Sequence, residues 1–270
     1  MVDATGGRSE ETVIRFDEQV VVVVGAGHGL GATLGRRFAE AGASVALVAR
    51  STKSLDASGA AAREAAGEVL TVVADITATN DAARMADEVL DRFGRVDVLV
   101  NSAFPATPKR NIVDMDVDDL EAWRRAVEVG GYGTLLACRF LAPPMVKRGR
   151  GAIVNITSMS SRIGFAGRSE YSAGKAQGHK IAHALAAELG PHGIRVNCVA
   201  PGAIWSEQLE WFYREEARKG GRTYDDVLAE RTHEIALRRI VTKDEIANAV
   251  LFLASDLASG VTGAVLAVTA

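Results

Sequence analysis

The chain has 270 residues, 48% of them hydrophobic, and a formal net charge of −3. That apolar content is enough for one large core, and the lack of a long basic run excludes a nucleic-acid groove or a membrane-surface patch. No apolar run approaches the roughly 18 residues of a membrane span, and Cys138 and Cys198 sit in apolar runs that fit buried thiols of a reducing cytoplasm better than a disulfide scaffold.

The opening "MVDATGGRSEET" is polar and lacks the apolar stretch of a signal peptide, so residues 1–15 read as a loose tail and 16–270 as a single domain. The first strand is "QVVVVVG" at 19–25, followed by "AGHGLG" and an amphipathic helix. Gly25, Gly29 and Gly31 fall between strand and helix, where glycine permits a tight turn and lets backbone N–H groups reach a phosphate at the helix N-terminus. Leu30 and His28 lie within this turn; a protonated His28 assists the phosphate or is a spectator. The second strand, 44–50, ends "LVAR" with Arg50 and then Ser51, and no carboxylate stands where a ribose 2′-hydroxyl would be met. A guanidinium there suits a 2′-phosphate, so NADP(H) is expected, with NAD(H) possible; the bland alternative is a solvated arginine.

The third strand, 68–75, closes on Asp75 and Ile76, where the carboxylate either meets an adenine amino group or caps the next helix. The fourth strand is "VDVLVNS" at 96–102. After it comes a long helical stretch interrupted by Gly130, Gly131 and Gly133, although a mid-helix glycine costs about 1 kcal/mol against alanine. Glycine pairs mark kinks and π-bulges, which predicts a bulge near Gly130 with a carbonyl turned toward the catalytic helix; simple close packing is the alternative. The fifth strand, 151–158, ends on Ser158. Thirteen residues later Tyr171 and Lys175 stand at i and i+4, on one helix face. A free phenol has a pKa near 10; a neighbouring ammonium favours the phenolate, which makes the pair an acid/base candidate. The sixth strand is 194–200 and the seventh 263–269. Between them, 205–242 holds no strand and is expected to form a helical substrate lid carrying Trp205, Trp211, Phe212, Tyr213 and Tyr224.

Short strands apolar on consecutive residues, alternating with helices, predict one doubly wound parallel α/β sheet of about seven strands, with helices on both faces: a Rossmann-type domain. Six motifs in order make the sequence resemble the short-chain dehydrogenase/reductase family: the glycine turn, Asp75, "NSA" at 101–103, Ser158, Tyr171-x-x-x-Lys175 and "NCVAPG" at 197–202. "TKDEIANAVLFLASDLASGVTG" at 242–263 is similar to the family's closing helix and strand. The resemblance implies that Tyr171 is the acid/base, that Ser158 positions the substrate oxygen, and that Lys175 tunes the tyrosine and holds the nicotinamide ribose. It further implies cofactor contacts from Asn101, Ser102 and Ala103, from Pro201 and Gly202, from the Ile204 backbone, and from Ser206. It implies a homotetramer or homodimer, a small carbonyl or alcohol substrate, and no metal.

Four positions depart from the family pattern. Val24 replaces a threonine, Phe104 a glycine, the "AVTA" ending a "VDGG", and Gly130 stands where a catalytic asparagine is expected. The expected activity is interconversion of a secondary alcohol and a ketone, on an apolar or cyclic substrate. The alternatives are a dehydratase, epimerase or imine reductase on the same scaffold, or, given Gly130, a non-catalytic NADP-binding protein.

Overall fold

A computed structural model describes residues 14–65, 67–107 and 109–270. The tail reading for 1–13 therefore lies outside the described residues. The strands are β1 (Val20–Val24), β2 (Ser44–Ala49), β3 (Val69–Val73), β4 (Val98–Asn101), β5 (Gly151–Ile156), β6 (Ile194–Pro201) and β7 (Val265–Val268). All pair in parallel, in the order β3-β2-β1-β4-β5-β6-β7. The helices are α1 (Gly29–Glu40), α2 (Thr52–Glu64), α3 (Thr79–Phe93), α4 (Val117–Glu128), α5 (Thr134–Arg148), α6 (Ser169–Leu189), α7 (Glu207–Gly220), α8 (Tyr224–Thr232) and α9 (Lys243–Ala254).

The valines of β1 explain the layering. Side chains alternate across a strand, so Val21 and Val23 enter a core with Leu34 and Phe38 of α1 and Ile246 and Val250 of α9. Val22 and Val24 enter a second core with Met85 of α3, Leu141 and Met145 of α5 and Ala182 of α6. Both faces of the sheet are covered, as the uninterrupted apolar runs require. The strand order reverses at β1, which pairs with β2 on one side and β4 on the other. Ligands bind in this fold at the carboxyl ends beside such a switch point.

Between α4 and α5 the chain makes one turn of π-helix over Val129–Gly133, at the predicted glycines. The Gly130 carbonyl faces α6, 3.5 Å from the point a Cβ on Gly178 would occupy. The lid segment forms α7 and α8 around a small core of its own, made by Tyr213, Ala217, Val227 and Ile240 with Trp205 and Tyr224 against it. A helix pair set off from the sheet must bury its own apolar stripe, and these aromatics supply it. Trp211 and Phe212 alone of the five stay exposed.

Candidate active site

The glycine turn is dictated by close approach. Gly25 has φ +93°, and a Cβ there would lie 2.3 Å from the Ala103 nitrogen on the loop after β4. A Cβ on Gly31 would lie 2.0 Å from the Gly25 carbonyl oxygen, so α1 begins directly against the turn. No side chain caps α1, because His28 occupies the cap position without a hydrogen bond to the first turn. The result is a backbone-lined cradle at a helix N-terminus, where an anion is favoured.

The cradle opens into a cavity of about 470 Å³ along the carboxyl ends of the strands. Gly25, His28, Leu30 and Gly31 line it at one side, and Arg50, Ser51, Asp75 and Ile76 line it from β2 and β3. Ser102, Ala103, Tyr171 and Lys175 line it from the middle, with Pro201, Gly202 and Ile204 at the β6 end. Of the expected site residues, Gly29, Asn101, Ser158 and Ser206 do not line it. Gly29 serves the turn with φ +61°. The Ser206 hydroxyl caps α7, accepting from the Leu209 nitrogen at 3.1 Å.

Arg50 projects, exposed, from the end of β2, and Ser51 caps α2 by accepting from the Ser54 nitrogen. Asp75 lines the cavity and does not cap α3, whose cap position is Ala78. Its carboxylate accepts from the Thr77 nitrogen at 3.0 Å and hydroxyl at 2.7 Å, and from Arg125 Nη2 at 2.5 Å. Desolvation works against the charge, but the Thr77 and Arg125 hydrogen bonds outweigh it and hold the carboxyl below its ordinary range. Arg125, from α4, is a pocket residue the sequence did not disclose, since its partner lies 50 positions away. Gly27, Ser54, Val129 and Thr157 also line the cavity and were missed. Gly27 was visible in the turn, and Ser54 sits one helical turn past Ser51; Val129 and Thr157 carry no local signal.

Tyr171 and Lys175 share one face of α6. The Lys175 ammonium is buried and donates to the Ile156 carbonyl of β5 at 2.9 Å. Burial pushes its pKa down to about 8. Phe104 completes the group: its ring centroid is 4.6 Å from Lys175 Nζ and 5.1 Å from the Tyr171 ring centroid, with the two rings at 81°. Ser158 is buried just past β5, and its Oγ accepts from the Ser160 nitrogen at 3.2 Å and lies 3.0 Å from the Ser160 hydroxyl.

A second, very small cavity of about 10 Å³ for a water centre lies behind Lys175, lined among others by Asn101, Thr134, Gly130 and Gly178. Asn101 donates to Asn155 Oδ1 at 2.9 Å, but its own Oδ1 is buried without a partner among the described residues. The space matches one water molecule.

A family model described as enoyl-(acyl carrier protein) reductase matches residues 25–270. Cis-4-hydroxycyclohexanecarboxylate dehydrogenase of Sinomonas cyclohexanicum is 37% identical over 253 residues, covering 94% of this chain and 96% of that protein. The chain belongs to the short-chain dehydrogenase/reductase family. Among solved members of that family, levodione reductase superposes with a TM-score of 0.85 at 31% identity, covering 94% of this chain and 97% of that one. A 7α-hydroxysteroid dehydrogenase complexed with NADH and 7-oxo glycochenodeoxycholic acid superposes with a TM-score of 0.81 at 30% identity, covering 94% of each. As a short-chain dehydrogenase/reductase, the protein is an NAD(P)-dependent enzyme acting on alcohol or carbonyl groups. The residues present fit such a cofactor: the uncapped N-terminus of α1 and the backbone of Gly25, Gly27 and Gly31 open onto the cavity. No helix among the described residues is long and apolar enough to cross a membrane.

Proposed function

We propose that the protein is an NADP(H)-preferring oxidoreductase that interconverts a cyclic or apolar secondary alcohol and its ketone. The observation that carries the reading is the Tyr171–Lys175 pair lining the cofactor cavity, with Lys175 buried against β5. When bound, the nicotinamide supplies or takes up the hydride. Tyr171 Oη donates its proton to the carbonyl oxygen in reduction and recovers it in oxidation. The Lys175 ammonium, on the same helix face, stabilises the phenolate left behind. Ser158 Oγ donates a hydrogen bond to the same substrate oxygen.

We read the small cavity as the seat of a relay water held between Lys175, the Asn101 Oδ1 and the Gly130 carbonyl. It would substitute for the water that the family holds with an asparagine side chain at the position of Gly130. Intact Ser158, Tyr171 and Lys175 argue against a non-catalytic relic.

The NADP preference rests on Arg50 and the exposed start of α2, with no carboxylate at the end of β2 to repel a 2′-phosphate. The substrate class is supported by the hydroxycyclohexanecarboxylate dehydrogenase and levodione reductase relatives. The family resemblance implies association of copies through long helices that include α6, and exposed Val117, Leu120 and Leu135 on α4 and α5 support association of copies.

The test is NADPH oxidation with a panel of cyclic ketones that includes 4-oxocyclohexanecarboxylate. Tyr171→Phe is expected to lower kcat by about 100-fold or more; turnover unaffected by it would sink the mechanism.

A further inference from the structure

A buried ammonium needs compensation. No residue lining the small cavity other than Lys175 is ionisable, and the ionisable residues of the main cavity besides Tyr171 and Lys175 are His28, Arg50, Asp75 and Arg125. Those four belong to the glycine turn, the loop after β2, the loop after β3 and α4. Glu170, buried on the first turn of α6, has both carboxylate oxygens without a hydrogen-bond partner among the described residues. What faces Lys175 Nζ from outside its own helix is the Ile156 carbonyl and the ring of Phe104.

Two glycines make room for that ring. A Cβ on Gly174 would lie 2.8 Å from Phe104 Cε2 and 3.0 Å from Cζ, besides 2.7 Å from the Ala126 carbonyl oxygen. A Cβ on Gly130 would in turn lie 2.4 Å from the Gly174 carbonyl oxygen. Positions 104, 130 and 174 therefore form one size-coupled set. The ring stands where α6 can accept it only without a side chain at 174, and the resulting helix approach excludes a side chain at 130.

We propose that Phe104 is a positioning residue of the catalytic pair: its ring face holds Lys175 in the ammonium form, and its edge-to-face contact fixes the ring of Tyr171. A cation over an aromatic face is stabilised more when it is desolvated, and Lys175 is buried. The opposed demands explain why a loop position carries a phenylalanine beside two helix glycines. The inference rests on the proposed roles of Tyr171 and Lys175, and its test is separable from theirs.

The full chain labelled with [ε-13C]lysine is titrated by NMR, with the Lys175 signal assigned by its loss in Lys175→Met. Phe104→Leu keeps an apolar side chain but removes the ring face. Replacement of Phe104 by 3,5-difluorophenylalanine keeps the ring and weakens its electrostatic face. The Lys175 midpoint is expected to fall by about one pH unit in the first and about half a unit in the second. The fluorinated protein answers even if Phe104→Leu does not fold. An unchanged midpoint in it overturns the proposal. Separately, Tyr171→Phe that still reduces ketones would remove the functional reading while leaving the Lys175 titration as a fact about the ring.

Discussion

Placing a methyl group on Gly130 sets two effects against each other. Alanine is favoured over glycine in a helix by about 1 kcal/mol. The added Cβ, however, would sit 2.4, 2.7 and 2.9 Å from the carbonyl oxygen, carbonyl carbon and Cα of Gly174. These are backbone atoms of α6 and cannot swing aside, so the helices must separate by several tenths of an ångström. Overpacking of this kind costs about 1–3 kcal/mol, and a backbone obstacle belongs at the upper end. Gly130→Ala is therefore expected to lose about 2 kcal/mol net. Two neighbours serve as controls. A Cβ on Gly131 meets the Gln177 amide oxygen at 1.7 Å, but that is the tip of a flexible side chain, so Gly131→Ala is expected within about 1 kcal/mol of wild type. A Cβ on Gly178 meets only the Gly130 carbonyl oxygen at 3.5 Å, an ordinary contact, so Gly178→Ala is expected to gain up to about 1 kcal/mol. Urea unfolding of the three variants side by side gives the order directly. If Gly130→Ala is as stable as Gly178→Ala, the close approach of α4 and α6 is not what excludes a side chain at 130.

Two further outcomes are expected. Arg50→Ala should weaken NADPH binding by about 10-fold or more with little change for NADH; a wild type that prefers NADH would refute the assignment at the end of β2. Lys175 has a folded-state pKa near 8 against an ordinary 10.5, so between those values the unfolded chain binds more protons and the burial penalty fades as pH rises. The unfolding free energy of wild type relative to Lys175→Met should rise by about 3 kcal/mol from pH 8 to pH 10.5, and a difference that is flat with pH in urea titrations would contradict it.

The parts of this molecule that can be read from the chain are those set by local rules. Short runs of consecutive apolar residues, rich in β-branched types, marked all seven strands, and the strand ends differ by a residue or two because pairing stops where the neighbour's ladder stops. Asn101, for example, is the last residue to pair with Val24 and Asn155. The glycine turn and the Tyr171–Lys175 spacing are equally local, and the three glycines at 130, 131 and 133 announced an irregular turn. What could not be read depends on distant partners. Arg125 reaches Asp75 across 50 positions, and Phe104 meets Gly174 only because β4 ends and α6 begins at the same edge. Ser206 also caps α7, and Trp205, Tyr213 and Tyr224 pack into the small core of α7 and α8, contacts that no local pattern announces.

The π-turn at Val129–Gly133 has a consequence for the rod that contains it. Each residue of an α-helix advances about 100° around the axis, so the one residue a π-turn inserts rotates all that follows by about that angle. On the near side of the turn, Ala126 and Gly130 are phased to abut α6. On the far side, Ala137, Leu141 and Met145 are phased to enter the core under Leu99 and Ile153 of the sheet. A continuous α-helix of the same sequence could satisfy one docking surface but not both. The inserted residue thus works as a phase shifter, and deleting a single residue between 129 and 133 would swing the apolar stripe of α5 away from the sheet even though no core side chain had been changed.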